Sequence, residues 1–172
     1  MDKKAKIFLE IIENHKRIIY KITNSYCKEN EDRQDLIQEI IIQLWQSFDK
    51  YDPQYKVSTW IYRIALNTSI SYYRKNKTRK EKTTELSVIV EASFKASEPF
   101  KENPNLILLN QFIKELKEID KALVLLYLDG LSQKEIAKII GITSSNVGSK
   151  LTRIKKRLKQ KFITIKNQIN ER

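Results

Sequence analysis

Apolar side chains recur at three- and four-residue intervals along most of this chain. Over residues 6–27, Ile7, Phe8, Ile11, Ile12, Ile18, Ile19, Ile22 and Tyr26 fit one face of an amphipathic helix. A second helix is expected from about residue 32 to 48, where Leu36, Ile37, Ile40, Ile41, Leu44 and Phe48 form a wide buried arc. The stretch DKYDPQYKV, residues 49–57, reads as a turn with Pro53 at its centre. A third helix is expected from Ser58, as N-cap, to about Lys75. Periodicity fades over residues 80–105, which contain Pro99 and Pro104 and read as a linker, with 86–90 the one candidate for a short strand-like or helical piece. A second helical unit fills residues 106–168, and no internal repeat is present.

Local signals are sharpest in this second unit. Ser132 and Glu135 have the spacing of a capping box, with Leu131 and Ile136 placed as a hydrophobic staple. Gly141 is the expected left-handed C-cap, and Thr143 the next N-cap, with Ile142 and Val147 as the following staple pair. Two short helices joined in this way predict a helix-turn-helix. In its second helix Val147, Leu151, Ile154 and Leu158 share one face. The opposite face carries Ser145, Ser149, Thr152, Arg153 and Lys156, with Ser144 and Lys150 beside it. Donors and cations without a carboxylate suit a helix that reads base edges in a major groove. A solvated helix surface more usually mixes in Glu.

Charge sharpens this picture. The 172 residues include 33 Lys plus Arg against 21 Asp plus Glu, a formal net charge of +12. The pI near 9.6 points to a polyanionic partner, nucleic acid ahead of a membrane surface. With only 3 Gly and 3 Pro the composition favours an all-α protein, here two small helical domains joined by a flexible linker. Residues 29–52 hold seven acidic and two basic side chains, whereas 72–82 hold six basic and one acidic, and 131–172 hold eleven basic and two acidic. Two basic regions and one acidic region suggest two nucleic-acid contacts and one contact of another kind. Cys27 is the one cysteine, so an internal disulfide is excluded. The N-terminal MDKKAKIF lacks the apolar core of a signal peptide, and no apolar run is long enough to span a bilayer, so a cytoplasmic protein is expected.

Two helices carry further candidate chemistry. In the third, Trp60, Ile61, Tyr62, Ile64, Ala65, Tyr72 and Tyr73 mix aromatics with core residues, while Arg63, Asn67, Ser71 and Arg74 share a polar face. Aromatics beside cations and amides suit unstacked bases; aromatics at helical spacing also simply build cores. In the second helix Asp35, Gln38, Glu39 and Gln46 surround Ile42, with Trp45 at the border. An isoleucine ringed by carboxylates and amides fits the apolar centre of a protein contact whose partner is basic. An incidental exposed Ile reads equally well at this level.

DLIQE followed by LW, then FDKYDPQYKVSTWIYRIALNTSISYYRK, resembles the second conserved region of bacterial sigma factors of the sigma-70 family. LDGLSQKEIAKIIGITSSNVGSKLTRIKKRLK resembles their fourth region. The stretch between is too short for the middle domain of primary sigma factors, so the resemblance is to the small extracytoplasmic-function (ECF) group. It implies a region 2 domain over residues 1–80, a linker over 81–105 and a region 4 domain over 106–172. It implies docking on the largest subunit of core RNA polymerase through Asp35, Gln38, Glu39, Ile42 and Trp45. It implies opening of the minus-ten promoter element, with Lys56, Trp60, Arg63, Asn67 and Arg74 on its DNA and the loop 49–57 helping to capture a flipped base. The minus-thirty-five element would be read by Ser144, Ser145, Ser149, Lys150, Thr152, Arg153 and Lys156. A helix over 106–128 would meet the flap of the second-largest subunit, and an anti-sigma factor is an expected partner. Gly148 departs from the family, which often has a basic residue there; local fraying or an altered upstream preference is the expected consequence. The loop also lacks a family-typical Gly.

Two other classes compete. A helix-turn-helix repressor or activator that does not bind core polymerase accounts for 131–160 but leaves the N-terminal half unexplained. A metal-dependent nuclease built on Glu31, Asp32 and Asp35 lacks a second carboxylate cluster, and His15 is the one histidine. No catalytic residue, metal or cofactor is expected. Cys27 reads as a buried or inert small residue ahead of a redox sensor, and His15 as a helix-surface residue rather than a ligand.

Overall fold

The computed structural model describes residues 3–83 and 103–170. Among these residues every regular element is helical. The order is α1 (Lys3–Tyr26), α2 (Asn30–Ser47), a single 3-10 turn (Phe48–Lys50), α3 (Val57–Thr83), α4 (Pro104–Lys114), α5 (Glu118–Leu128), α6 (Gln133–Ile140) and α7 (Ser144–Asn170).

The N-terminal unit packs α1, α2 and α3 against one another. Leu36, Ile40 and Leu44, four residues apart, all lie at 0% exposure on the inner face of α2. They meet Ile19 and Ile22 of α1 and Ile61, Ala65 and Leu66 of α3 in one apolar cluster. Ile37, Ile41 and Phe48 complete the expected arc half-buried. Thr23 and Ser69 are also fully buried. The Thr23 hydroxyl donates to Tyr20 O at 3.1 Å, so this buried polar group is satisfied within its own helix.

In the C-terminal unit α5 is the centre, with Leu123 and Leu126 buried against Ile136 of α6 and Val147, Leu151 and Ile154 of α7. The helix-turn-helix forms as its caps dictate. The Ser132 side chain accepts from Glu135 N while the Glu135 carboxylate accepts from Ser132 N, a complete capping box. Gly141 closes α6 at φ 80°, where a Cβ is disfavoured, and Asn146 N donates to Thr143 Oγ1 at 3.2 Å to open α7. Phe112 of α4 meets Phe162 of α7 edge-on, with centroids 5.0 Å apart.

Four expectations change. The third helix begins at Val57, with Thr59 N and Trp60 N both bonded to Lys56 O, so Ser58 lies inside the first turn rather than capping it. It also continues to Thr83 rather than stopping near Lys75, because Lys, Arg and Glu are good helix formers even where no apolar stripe marks them. The single helix expected over 106–128 is two, broken at residues 115–117, and the first begins at Pro104 under an Asn103 cap. Proline suits that first helical position because its missing N–H would be unpaired there anyway. Gly148 does not fray its helix, since α7 runs unbroken from Ser144 to Asn170. The candidate piece at 86–90, and most of the expected linker, lie outside the described residues.

The two units pack together along one seam. Tyr26 Oη donates to Glu118 O at 2.7 Å, and Tyr62 Oη donates to Asp129 at 2.6 Å. Lys21 pairs with the same Asp129 carboxylate. The Lys121 ammonium reaches from α5 to Ser25 O at 3.1 Å and sits over the rings of Tyr26 and Tyr73 at 5.1 and 5.5 Å.

Candidate nucleic-acid interface

The loop between the 3-10 turn and α3 is stiffened by its own polar groups. Asp52 Oδ1 accepts from Gln54 N at 2.9 Å, and Tyr51 Oη donates to Tyr55 O at 2.6 Å. An Asx turn therefore shapes this loop without a glycine. Behind it Trp60 is half-buried, with Tyr51 at 5.1 Å and Phe48 at 6.1 Å between ring centroids. The loop and the start of α3 enclose a cavity of about 380 Å³, with Tyr51, Tyr55 and Trp60 as aromatic walls and Lys50, Arg63 and Lys138 as cations. Aromatic faces with cations at the rim match an extruded base and its phosphate.

Lys138 belongs to α6, so the helix-turn-helix forms one wall of this cavity. The same helix engages Lys56, whose ammonium lies 3.1 Å from Glu135. Hydrogen bonds from the Ser132 backbone and hydroxyl, with the neighbouring Lys56, hold the Glu135 carboxyl down at about 2. Further along α3, Arg63, Asn67, Ser71 and Arg74 are all exposed, on the face opposite Ile61 and Ala65. The aromatics divide. Among those of α3, Tyr62 is buried in the seam, Tyr72 and Tyr73 are half-buried, and Trp60 opens to the cavity.

On α7, Ser145, Ser149, Thr152, Arg153 and Lys156 are exposed together, with Val147, Leu151 and Ile154 turned into the core. Ser144 and Lys150 are half-buried at the edge of this face. Thr152 Oγ1 donates to Gly148 O at 3.0 Å and Arg153 Nε to Ser149 O at 3.3 Å, so these two side chains lie folded along the helix.

The acidic face of α2 is equally plain. Asp35, Gln38 and Glu39 are exposed, and Ile42 is 47% exposed among them. Trp45 is set by α1: Phe8 meets it edge-on at 5.0 Å and Lys4 lies 5.0 Å over its ring. Its outer edge stays open at 39% exposure. Sequence reasoning missed Lys138, Lys121 and Asp129, all of which act across the seam. One signal was available for Lys121, a lone cation in the apolar run ALVLL that follows it.

Among the described residues no group of three or more His, Cys, Asp or Glu is placed to hold a metal ion. No described helix is long and apolar enough to cross a membrane.

Residues 11–79 match the family described as Sigma-70 region 2, and residues 106–158 the one described as Sigma-70, region 4. The chain is similar to the ECF RNA polymerase sigma factor SigM of Bacillus subtilis (strain 168), 31% identical over 152 residues, covering 87% of this chain and 91% of the relative. It is also similar to the ECF RNA polymerase sigma-E factor of Escherichia coli (strain K12), 26% identical over 171 residues, covering 93% and 87%. Two solved structures share the fold. CnrH in complex with the cytosolic domain of CnrY has a TM-score of 0.67 at 19% identity, covering 93% of this chain and 90% of that one. The sigma factor RpoE in complex with the anti-sigma factor NepR from Bartonella quintana has a TM-score of 0.65 at 16% identity, covering 91% and 94%.

A helical chain with these two regions in this order is a factor for transcription initiation. It belongs to the sigma-70 family of RNA polymerase sigma factors, in its ECF group. It binds core RNA polymerase and directs it to promoters.

Proposed function

We propose that the work of this sigma factor is divided among three faces. Asp35, Gln38 and Glu39 form the rim, and Ile42 and Trp45 the apolar centre, of the surface that docks on the largest polymerase subunit. Lys56, Trp60, Arg63, Asn67 and Arg74 open the minus-ten element and hold its unpaired strand. Ser145, Ser149, Thr152, Arg153 and Lys156 read the minus-thirty-five element, with Ser144 and Lys150 in supporting places. Residues 1–80 form the region 2 domain and 106–172 the region 4 domain, with 81–105 between them. The pair α4 and α5 meets the flap of the second-largest subunit. The protein works in the cytoplasm, carries out no covalent chemistry, and is held in check by an anti-sigma factor, as the RpoE of the solved complex is bound by NepR.

The observation that carries this reading is the aromatic and cationic cavity at the start of α3, beside a polar helix face. A regulator that bound only duplex DNA would have no use for an aromatic pocket with room for an extruded base. Run-off transcription with purified core polymerase on genomic fragments tests it. Discrete products that require this chain are expected. Tight DNA binding without affinity for core polymerase would favour a plain helix-turn-helix regulator instead.

A further inference from the structure

Gly148 lies in the second turn of α7. At ~100° per residue it stands roughly 40° from Thr152 and 60° from Ser145, on the margin of the exposed face. A Cβ at this position would meet Gln133 Oε1 at 3.0 Å, Nε2 at 3.4 Å and Cδ at 3.5 Å. The volume that a side chain of α7 would take is therefore filled by a carboxamide from the first residue of α6. Gln133 is exposed, so this amide is both packed against the recognition helix and open to a ligand. Its backbone is fixed on either side by the capping box of Ser132 and Glu135.

We infer that Gln133 is a DNA-binding residue of the helix-turn-helix, its carboxamide resting on Gly148 and donating to a phosphate of the upstream promoter element. The inference rests on the reading of α7 as the recognition helix. In this motif the second helix lies in the groove while the first crosses the phosphate backbone, and the first residue of α6 stands where that crossing begins. A carboxamide carries two N–H donors and an acceptor. One end can face α7 while the other meets the phosphate. Such a contact fixes register without carrying sequence information. Being neutral, it adds direction but releases no counterion. Gly148 has a function in this arrangement, since any side chain there displaces the amide.

The test uses holoenzyme assembled from the full chain and core polymerase. Its probes are promoter duplexes selected by the wild-type holoenzyme from a pool randomised in the upstream element, alongside the unselected pool. Gln133→Ala is expected to weaken both about tenfold, with an unchanged salt slope. Gln133→Glu, which keeps the shape but repels phosphate, is expected to weaken them further. Gly148→Ala should raise the thermal midpoint and yet lower affinity, and it should cost nothing once Gln133 is Ala. Gly148→Lys in the Gln133→Ala background should restore affinity with a salt slope steeper by ~0.9, one extra phosphate neutralised. Unchanged binding by Gln133→Ala, a loss confined to the selected duplexes, or additive losses in the double variant would each overturn the inference. Arg153→Ala separates the two levels. If it weakens binding while Gln133→Ala does not, the inference alone falls. If neither does, the reading of α7 falls with it.

Discussion

Tyr62 of α3 and Asp129, which follows α5, hydrogen-bond at 2.6 Å across the seam between the two halves of the molecule. Lys21 of α1 pairs with the same carboxylate. One acidic side chain, 13% exposed, thus joins two helices of the N-terminal unit to the C-terminal one. Burial raises the Tyr62 hydroxyl above its ordinary range.

Asp129→Ala should loosen this seam without unfolding either half, since Leu36, Ile40 and Leu44 in the N-terminal unit and Leu123 and Leu126 in the C-terminal one stay buried in their own helix packing. A charged hydrogen bond of this kind contributes about 2 kcal/mol. The variant should show a larger radius of gyration by small-angle X-ray scattering and a lower urea midpoint. An unchanged scattering profile would mean that Asp129 is a bystander.

Asp35→Lys combined with Glu39→Lys should weaken binding to core polymerase and leave the fold intact, because both carboxylates are exposed. Like charges placed across an interface cost several kcal/mol. A titration of labelled variant against core polymerase checks this, and wild-type affinity would refute the assignment of the α2 face.

Asn67→Ala should impair promoter opening more than closed-complex formation. Asn67 is exposed on the α3 face with Arg63 and Arg74, and contacts to extruded bases form only after melting. Such contacts contribute about 1–3 kcal/mol per base. The expected holoenzyme still footprints the promoter but shows reduced permanganate reactivity of downstream thymines. Full reactivity would remove Asn67 from the melting site.

Glu135 makes one share of the stability depend on pH. Hydrogen bonds from Ser132, with Lys56 beside it, lower its carboxyl from 4.5 to about 2. A carboxyl whose folded value is depressed contributes stability that is fully present above 4.5 and is lost as pH falls toward 2. Glu135→Gln keeps the reach of the capping box but not the charge. The difference in urea midpoint between wild type and variant should be greatest above pH 4.5 and vanish near pH 2. A difference that does not change with pH would show that the charge contributes nothing.

What could be read from the sequence was local. Ser132, Glu135, Gly141 and Thr143 act on neighbours a few residues away, and each does what its type and spacing imply. The α2 arc and the α3 polar face follow from periodicity alone. The break between α4 and α5 was hidden because Ile113, Leu116 and Ile119 continue the apolar rhythm through it. Ser58 looked like a cap, but the chain had already turned helical at Val57. Apart from the lone cation Lys121 beside an apolar run, the seam left no local trace. Its contacts join residues such as Tyr26 to Glu118 and Lys21 to Asp129, 92 and 108 positions apart. Periodicity carries no information on such pairs, and so the cavity's last wall, Lys138, was invisible too.

The Lys121 ammonium gives that seam a particular character. It is 3% exposed, held by two tyrosine rings and a carbonyl at the end of α1, and burial draws its affinity for a proton below the ordinary lysine range. A cation in this position regains full hydration when the halves part, so separation is far less costly than opening an oily core of the same size. If the halves part, the molecule has a shut and a parted form. Only the parted one offers Lys56 free of Glu135 and a cavity without Lys138 as its wall. If one molecule in about a hundred is parted, unpaired DNA is bound about a hundredfold more weakly than by the N-terminal half alone. Any partner that grips only the parted form returns that factor to the DNA.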